Sequence, residues 1–212
     1  MSNVICYVIL AIFAFYLLLF LLLELHYFTR IFLCFIWARI CRKKIHILDE
    51  TTVNGICLTT DIDTLLTHMN NARFLRELDF AKIDFYERTG LYNTIRSQGG
   101  SVAVGATTIR YRRFIKLFTR YKITSKVIYW DDKHVYMEHR FISKHDNFIN
   151  AIAMCKIRLI NCDSNAVMNE LLSKSSGNVE SPKKEKPTMP LCLEKWIESN
   201  DISSVILRSE MS

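Results

Sequence analysis

The feature that most constrains this chain is an unbroken apolar run near its N-terminus, from Val4 to Leu23. The run holds twenty residues with no charge, glycine or proline. As a helix rising about 1.5 Å per residue it covers roughly 30 Å, the thickness of the hydrocarbon core of a bilayer. Because it is apolar on every face, it does not suit a helix buried in a soluble domain. It predicts an N-terminal transmembrane helix, with residues 1–44 forming the anchor and an interfacial segment.

A cleaved signal peptide is the competing interpretation of this run. Signal peptides have a positive n-region and an apolar segment of roughly 7–15 residues that ends in small residues. No Lys or Arg precedes Arg30, and the run ends in three leucines followed by Glu24. We therefore expect an uncleaved single-pass anchor, with secretion after signal-peptide cleavage as the alternative.

Basic residues follow the run and none precedes it; they are Arg30, Arg39, Arg42, Lys43 and Lys44. Because positive residues stay on the cytosolic side of a membrane, this predicts a cytosolic C-terminal domain. The charges do not identify the membrane, for which we expect the endoplasmic reticulum. The patch from Ile31 to Ala38 is apolar but too short to cross. It is either an interfacial helix along the lipid headgroups or a continuation of the first helix.

The cysteines and the net charge limit the chemistry. Seven cysteines, an odd number with no Cys-x-x-Cys pair, indicate neither a disulfide framework nor a zinc site. This fits a reducing compartment, and we expect no metal and no cofactor. The net charge of +7 suits an anionic partner such as membrane lipid, nucleic acid or a phosphorylated cofactor. Charge alone does not choose among these partners.

Hydrophobic periodicity predicts a single α+β domain over residues 45–172. Residues 45–60 are expected to be extended, and residues 70–89 carry one apolar helical stripe that ends at Gly90. After Gly99 and Gly100 the pattern alternates with period two, which predicts four strands: Ser101 to Arg112, Tyr121 to Trp130, His134 to Ser143 and Phe148 to Leu159. A long helix followed by an antiparallel meander predicts a sheet wrapped around that helix.

The C-terminal part of the chain has a different composition. Residues 163–173 have a helical pattern that Asp163 or Ser164 would cap. Residues 173–190, rich in Ser, Lys, Glu and Pro, predict a flexible linker. Residues 191–212 then form a C-terminal segment whose amphipathic part, Leu191 to Ile197, is expected to dock back on the domain.

Polar side chains gather just before the long helix. A helix start carries unpaired N–H groups and a partial positive charge, which suit a carbonyl oxygen that gains negative charge. We take Asp63, His68 and Asn70 as candidate catalytic residues and Asn71 as a substrate-binding residue. Each has a structural alternative: Asp63 as a turn or cap residue, His68 as a packed interior residue, and Asn70 as the helix cap. Glu77, farther along the helix, is expected to be solvated or paired with Arg73.

A basic segment with interleaved aromatic residues is the second candidate constellation. Its six cations lie within thirteen residues and are Arg110, Arg112, Arg113, Lys116, Arg120 and Lys122. Arg112 and Arg113 are candidates for binding the phosphates of coenzyme A, because guanidinium groups make bidentate contacts with phosphate. Anionic lipid and a solvated strand end are the alternatives. The membrane anchor argues against nucleic acid.

Several motifs resemble the hotdog-fold thioesterase superfamily. They are the Asp-x-Asp pair followed by His-Met-Asn-Asn-Ala-Arg-Phe-Leu, with a long helix and four strands after it. The segments Tyr111-Arg112-Arg113 and Trp130-Asp131-Asp132 and the tail from Trp196 to Arg208 narrow the resemblance to a membrane-anchored branch of the family. The resemblance implies a hotdog fold, a homodimer, acyl-thioester pockets at the subunit boundary, and a carboxylate before the helix that attacks the thioester or activates water.

The resemblance also shows a departure in the motif. In the plant acyl-carrier thioesterases an Asp and an Asn lie four and two residues before the motif His, and here those positions hold Thr64 and Leu66. Asp63 is one residue away, so it replaces the missing acid only if a one-residue bulge absorbs the shift. Two hypotheses follow. Either the domain hydrolyses fatty acyl-CoA, with Asp63 activating water, or it binds acyl-CoA or an acylated partner without catalysis.

Overall fold

The computed structural model describes residues 2–174 and 185–210. Within these ranges the elements in chain order are α1 (Ser2–Leu22), α2 (Leu25–Ile40), β1 (Thr51–Ile56), α3 (Asn71–Thr89), α4 (Leu91–Ser97), β2 (Ser101–Tyr111), β3 (Arg120–Trp130), β4 (His134–Ser143), β5 (Ile149–Ile160), α5 (Ser164–Lys174) and α6 (Leu191–Glu210).

The five strands form one antiparallel sheet in the order β1-β3-β4-β5-β2. The four predicted strands are confirmed to within one residue at each end. In β3, β4 and β5 the period-two pattern places many alternate side chains on a buried face, whereas the side chains of the edge strand β2 are half-buried or exposed. The register between β2 and β5 shifts between Val104 and Ala106, so Gly105 lies at a β-bulge. The predicted mixture of helices with an antiparallel sheet is confirmed.

Helix α3 packs against this sheet along its apolar stripe. Phe74, Leu78, Ala81 and Phe85 are all nearly fully buried, and the ring of Phe74 meets that of Phe141 edge to face at 4.9 Å between centroids. The helix ends at Gly90, whose φ of 76° is the left-handed conformation expected of a C-terminal glycine. The prediction for this helix is confirmed.

Helices α1 and α2 are separated by a sharp break. Leu23 and Glu24 lie between them, and Glu24 adopts a left-handed φ of 45°. Residues 31–38 therefore belong to a second helix and do not continue the first.

Among the described residues no single helix has both the length and the hydropathy to cross a membrane. Length and composition together are sufficient only for a bent pair of helices, Val4–Phe20 and Leu25–Ile40, whose axes differ by 81°. The transmembrane anchor stays a prediction.

Helix α2 docks on α3 through charged and aromatic contacts. The guanidinium of Arg30 binds the Glu77 carboxylate with both nitrogens, one of them at 2.7 Å, and stacks over Phe80 at 3.8 Å. The Tyr121 hydroxyl donates to the same carboxylate at 2.9 Å. The prediction that Glu77 is solvated or paired with Arg73 is wrong: its side chain is 4% exposed, and its partner comes from a distant helix.

The opposite face of α2 presents an exposed apolar stripe. Its members recur at helical spacing and are between 59% and 76% exposed: Phe28, Phe32, Leu33, Trp37 and Ile40. The inner face of α2 packs on α3, and no described part of the chain packs on the outer apolar stripe.

The C-terminal elements differ from the prediction mainly in length. Helix α5 begins as expected, with the Asp163 carboxylate accepting from the backbone N–H groups of Asn165 and Ala166 at 3.1 and 3.2 Å. Helix α6 continues to Glu210 and is 20 residues long, well beyond the predicted end at Ile197. The predicted linker at residues 173–190 lies mostly outside the described residues, and the domain boundaries stay predictions.

Candidate functional site

The loop between β1 and α3 closes on itself around the carboxylate of Asp63. Its Oδ1 accepts from the backbone N–H of Thr67 at 2.9 Å and from the backbone N–H of His68 at 3.2 Å, and the Asp63 N–H donates to the His68 carbonyl at 2.8 Å. Leu66 makes the turn with a left-handed φ of 58°, a rare conformation for leucine. The loop thereby brings Asp63 beside His68, although five positions separate them in sequence.

His68 lies between this loop and the basic segment. Its Nδ1 is 2.6 Å from the Thr67 hydroxyl and 3.8 Å from Asp63 Oδ2, and its ring faces Phe114 with centroids 3.9 Å apart. The side chain is 21% exposed, so one side of the imidazole is packed and another is open to solvent. The structure thus places His68 at the surface of the site, beside Phe114, one of the aromatic residues of the basic segment, whose contact with His68 the sequence did not predict.

The hydrogen bonds in the loop set the charge of Asp63. Donation from the backbone N–H of Thr67, and then from that of His68, lowers the pKa of the Asp63 carboxyl, because both bonds favour its ionised form. Asp63 is therefore a carboxylate at neutral pH.

Asn70 caps α3 in the way the structural alternative required. Its Oδ1 accepts from the Ala72 N–H at 2.9 Å, and its own N–H donates to the Asp61 carbonyl at 2.8 Å. Asn71 opens the helix as an exposed residue, and its carbonyl accepts from the Tyr111 hydroxyl at 3.0 Å. The side-chain oxygen of Asn70 thus stabilises the helix start, and catalytic participation by Asn70 stays a prediction.

Replacing Asn70 with alanine is expected to lower the free energy of unfolding by about 1 kcal/mol, because the Ala72 N–H loses its acceptor. Thermal unfolding of the full chain in detergent micelles measures the change. Asn70→Asp keeps an acceptor at the same place and is expected to be close to wild type. An Asn70→Ala protein as stable as wild type would show that the cap contributes nothing.

The side chains of Arg112 and Arg113 both contact Phe148, and among the described residues neither makes a hydrogen bond with His68. Arg113 makes a bidentate pair with Asp146, at 2.6 and 2.9 Å, and stacks over Phe148 at 4.0 Å. That pair holds the pKa of the Asp146 carboxyl well below its usual range. Arg112 lies over the same ring at 5.0 Å. Arg113 is therefore already neutralised by a carboxylate of the chain, and its role in binding substrate stays a prediction.

A groove of about 510 Å³ lies near the start of α3, between α2, the edge of β1 and the loop that follows β1. Asp61 is among its lining residues, as are Arg30, Arg120 and Lys144. His68 is not. The basic segment is therefore divided, since Arg120 lines this groove while Arg113 pairs with Asp146.

Comparison with known proteins agrees with this architecture. A family model described as the thioesterase-like superfamily matches residues 57–197. Protein THEM6 of Drosophila melanogaster is 39% identical over 194 residues, which are 92% of this chain and 96% of that protein. Protein THEM6 of Xenopus laevis is 36% identical over 192 residues, covering 91% of this chain and 88% of its own.

Solved structures support the fold. The probable thioesterase YbaW from Escherichia coli aligns with a TM-score of 0.53 at 20% identity, over 58% of this chain and 96% of its own. Slr0204 from Synechocystis, a 1,4-dihydroxy-2-naphthoyl-CoA thioesterase, aligns with a TM-score of 0.52 at 10% identity, over 63% of this chain and all of its own. At these identities the likeness concerns the fold alone, and it confirms the hotdog architecture. The family model over residues 57–197 and the two relatives show that the chain belongs to the thioesterase-like superfamily.

Proposed function

We propose that this chain is a membrane-anchored hydrolase of acyl thioesters, with fatty acyl-CoA as its substrate class. The observation that carries the proposal is the placement of an ionised Asp63 beside His68, with 3.8 Å between Oδ2 and Nδ1, at the start of the long helix of a hotdog fold. A carboxylate and an imidazole at that distance can share a proton with a water molecule between substrate and protein.

In this mechanism Asp63 holds and orients the attacking water. Its lowered pKa makes it a weak proton acceptor, so the imidazole of His68 takes part in removing the proton. The water oxygen bonds to the thioester carbonyl carbon, and the resulting oxyanion faces the positive end of α3, where Asn71 is the first exposed residue. Collapse of this intermediate breaks the carbon–sulfur bond, the imidazolium of His68 returns the proton to the departing sulfur, and CoA leaves as its thiol.

A second candidate, a binding module without catalysis, is favoured by two specific contacts. The Oδ1 atom of Asp63 is already used within its own loop, and the Oδ1 of Asn70 is used in capping the helix. The family's acid and amide positions hold Thr64 and Leu66, and Leu66 is 71% exposed. In this version the fold retains acyl-CoA or an acylated partner but does not cleave it.

The assay uses the full chain in detergent micelles and follows release of CoA from palmitoyl-CoA and shorter acyl-CoA esters. Asp63→Asn is expected to lower kcat by about 100-fold or more, because it removes the carboxylate that orients the water and shares with His68 in taking up its proton. Asp201→Asn, a change of the same type at a side chain that is 68% exposed on α6, is the matched control and is expected to keep full activity.

The outcomes of this assay separate the two candidates. Turnover by the wild type that is lost in Asp63→Asn supports hydrolysis. Binding of palmitoyl-CoA by the wild type without turnover leaves only the binding module. Full turnover in Asp63→Asn shows that Asp63 does not orient or activate the attacking water.

The proposal includes a homodimer and a location. Strand β2 is an edge strand of eleven residues whose Val104 is 49% exposed, and an open edge of that length can pair with the β2 strand of a second copy. The apolar run of α1, with the exposed stripe of α2, supports single-pass anchoring in the endoplasmic reticulum membrane with a cytosolic domain. A C-terminal tag that resists protease in intact microsomes would reverse this orientation.

A further inference from the structure

The groove beside α2 has a cationic lining that the proposed hydrolysis does not use. His26 and Arg30 reach it from the first turns of α2, Arg120 from the start of β3, and Lys144 from the turn after β4. The one acid in the lining is Asp61, and its Oδ2 already accepts from the Leu58 N–H at 2.9 Å. The groove therefore has more positive than negative charge.

Two of these cations have no carboxylate to neutralise them. Arg30 is committed to Glu77, but neither Arg120 nor Lys144 has an ion-pair partner in the part of the chain that the structure describes. Their backbones are held together, since the Lys144 N–H donates to the Arg120 carbonyl at 3.0 Å. Two adjacent exposed cations repel each other, and an anion bound between them relieves that repulsion.

The backbone of β1 adds donors to the same groove. The Thr52 carbonyl accepts from Arg42 at 2.6 Å on the open side of the strand, whereas the Cys57 N–H donates to Thr119 on the paired side. Because successive residues of an antiparallel strand direct their amides to alternate sides, the N–H groups of Asn54 and Ile56 point to the open edge. Both residues line the groove.

We propose that this groove binds a phosphate group. Guanidinium, ammonium and backbone N–H donors around one cavity are the usual partners of a phosphate. The groove adjoins the first turn of α2, immediately after the apolar run of α1, and this favours the phosphate of a lipid headgroup as the source. That source rests on the membrane anchoring proposed above, whereas the phosphate site itself does not.

Hydrogen exchange of the full chain in maltoside detergent micelles, which contain no phosphate, tests the proposal. One arm adds millimolar inorganic phosphate, and the other adds phosphatidic acid at about a fifth of the detergent. We expect the amides of residues 54 and 56 to exchange about threefold more slowly in at least one arm, because a bound ligand protects the N–H groups that donate to it. The double variant Arg120→Gln/Lys144→Gln is expected to lose this protection.

The matched control is Lys133→Gln/Arg158→Gln, which removes the same charge from exposed positions at the opposite end of the sheet and is expected to keep the protection. Protection by inorganic phosphate but not by phosphatidic acid supports the site and overturns the lipid source. Protection by phosphatidic acid, with or without protection by inorganic phosphate, supports both.

No slowing in either arm, or equal loss in the control variant, overturns the site. Lys144→Gln alone, a change at an exposed turn residue, is expected to give a partial loss and covers the case of a double variant that does not fold. Hydrogen exchange reports on the groove whether or not the chain cleaves thioesters, so the phosphate site and the hydrolase proposal fail separately.

Discussion

Acidification from neutral pH to pH 4 is expected to lower the free energy of unfolding by about 3 kcal/mol through His139 alone. This side chain on β4 is fully buried, and its Nδ1 is 2.7 Å from the Ser125 hydroxyl, while Nε2 has no partner among the described residues. Burial, with a smaller contribution from the charge of Lys82 on α3, lowers its pKa to about 3.

The direction of the effect follows from the pH at which His139 binds a proton in the unfolded and in the folded state. In the unfolded chain His139 takes up a proton near pH 6.5, whereas in the folded chain it stays neutral until about pH 3. Between these values the unfolded state binds more protons, so the stability present above pH 6.5 is lost progressively as the pH falls. Urea unfolding in detergent micelles at pH 7, 5.5 and 4, followed by the fluorescence of buried Trp130, measures the change.

The control for His139 removes the buried pair as a unit. Ser125→Ala/His139→Leu leaves neither a hydroxyl nor an imidazole unpaired. Between pH 7 and pH 4 its free energy of unfolding is expected to fall by about 3 kcal/mol less than that of the wild type. Carboxyl groups titrate in both proteins, so the difference between the two curves isolates the histidine. Identical pH dependence in the two proteins would contradict the assignment.

Replacing Arg30 with methionine is expected to destabilise the chain by about 3 kcal/mol, because it leaves the Glu77 carboxylate buried without a counter-charge. The Tyr121 hydroxyl still donates to that carboxylate at 2.9 Å but does not neutralise it. The same urea titration at pH 7 measures the loss.

The matched control for Arg30 is the double variant Arg30→Met/Glu77→Leu, which replaces both charges with apolar groups. It is expected to recover most of the stability, since a buried ion pair contributes little beyond the same volume of apolar side chain. A double variant as unstable as Arg30→Met would show that the cost comes from lost packing of α2 and not from an unpaired charge.

Patterned segments of the fold were predictable from sequence, and unpatterned ones were not. Each strand of the meander alternates between faces for ten or more residues, so its limits were predicted to within one position. Helix α4 was missed because its seven residues are too few to show a period. The end of α6 was missed because polar residues dominate after Ile197, and the apolar residues among them form only a short exposed cluster, Ile202, Val205, Ile206 and Leu207.

The site was predictable only where it is local in sequence. Asp63, His68 and the Asn70 cap lie within one loop, and turn chemistry and helix capping act over such short distances. The contacts of His68 with Phe114, of Arg113 with Asp146 and of Glu77 with Arg30 join distant segments. Such pairings depend on how helices and strands pack, and no spacing rule in the sequence reports them.

Helix α2 is fixed along α3 at both of its ends. Contacts run from Glu24 beside Arg76 at one end to Arg88, which donates to the Lys43 carbonyl at 3.1 Å, at the other. Leu23 and Glu24 are the two residues that connect α1 to α2. Because α2 is fixed to α3, these two residues alone set the angle between α1 and the domain, and an unrelated leader in place of α1 and α2 would leave the Asp63 loop without a fixed orientation to the segment before it.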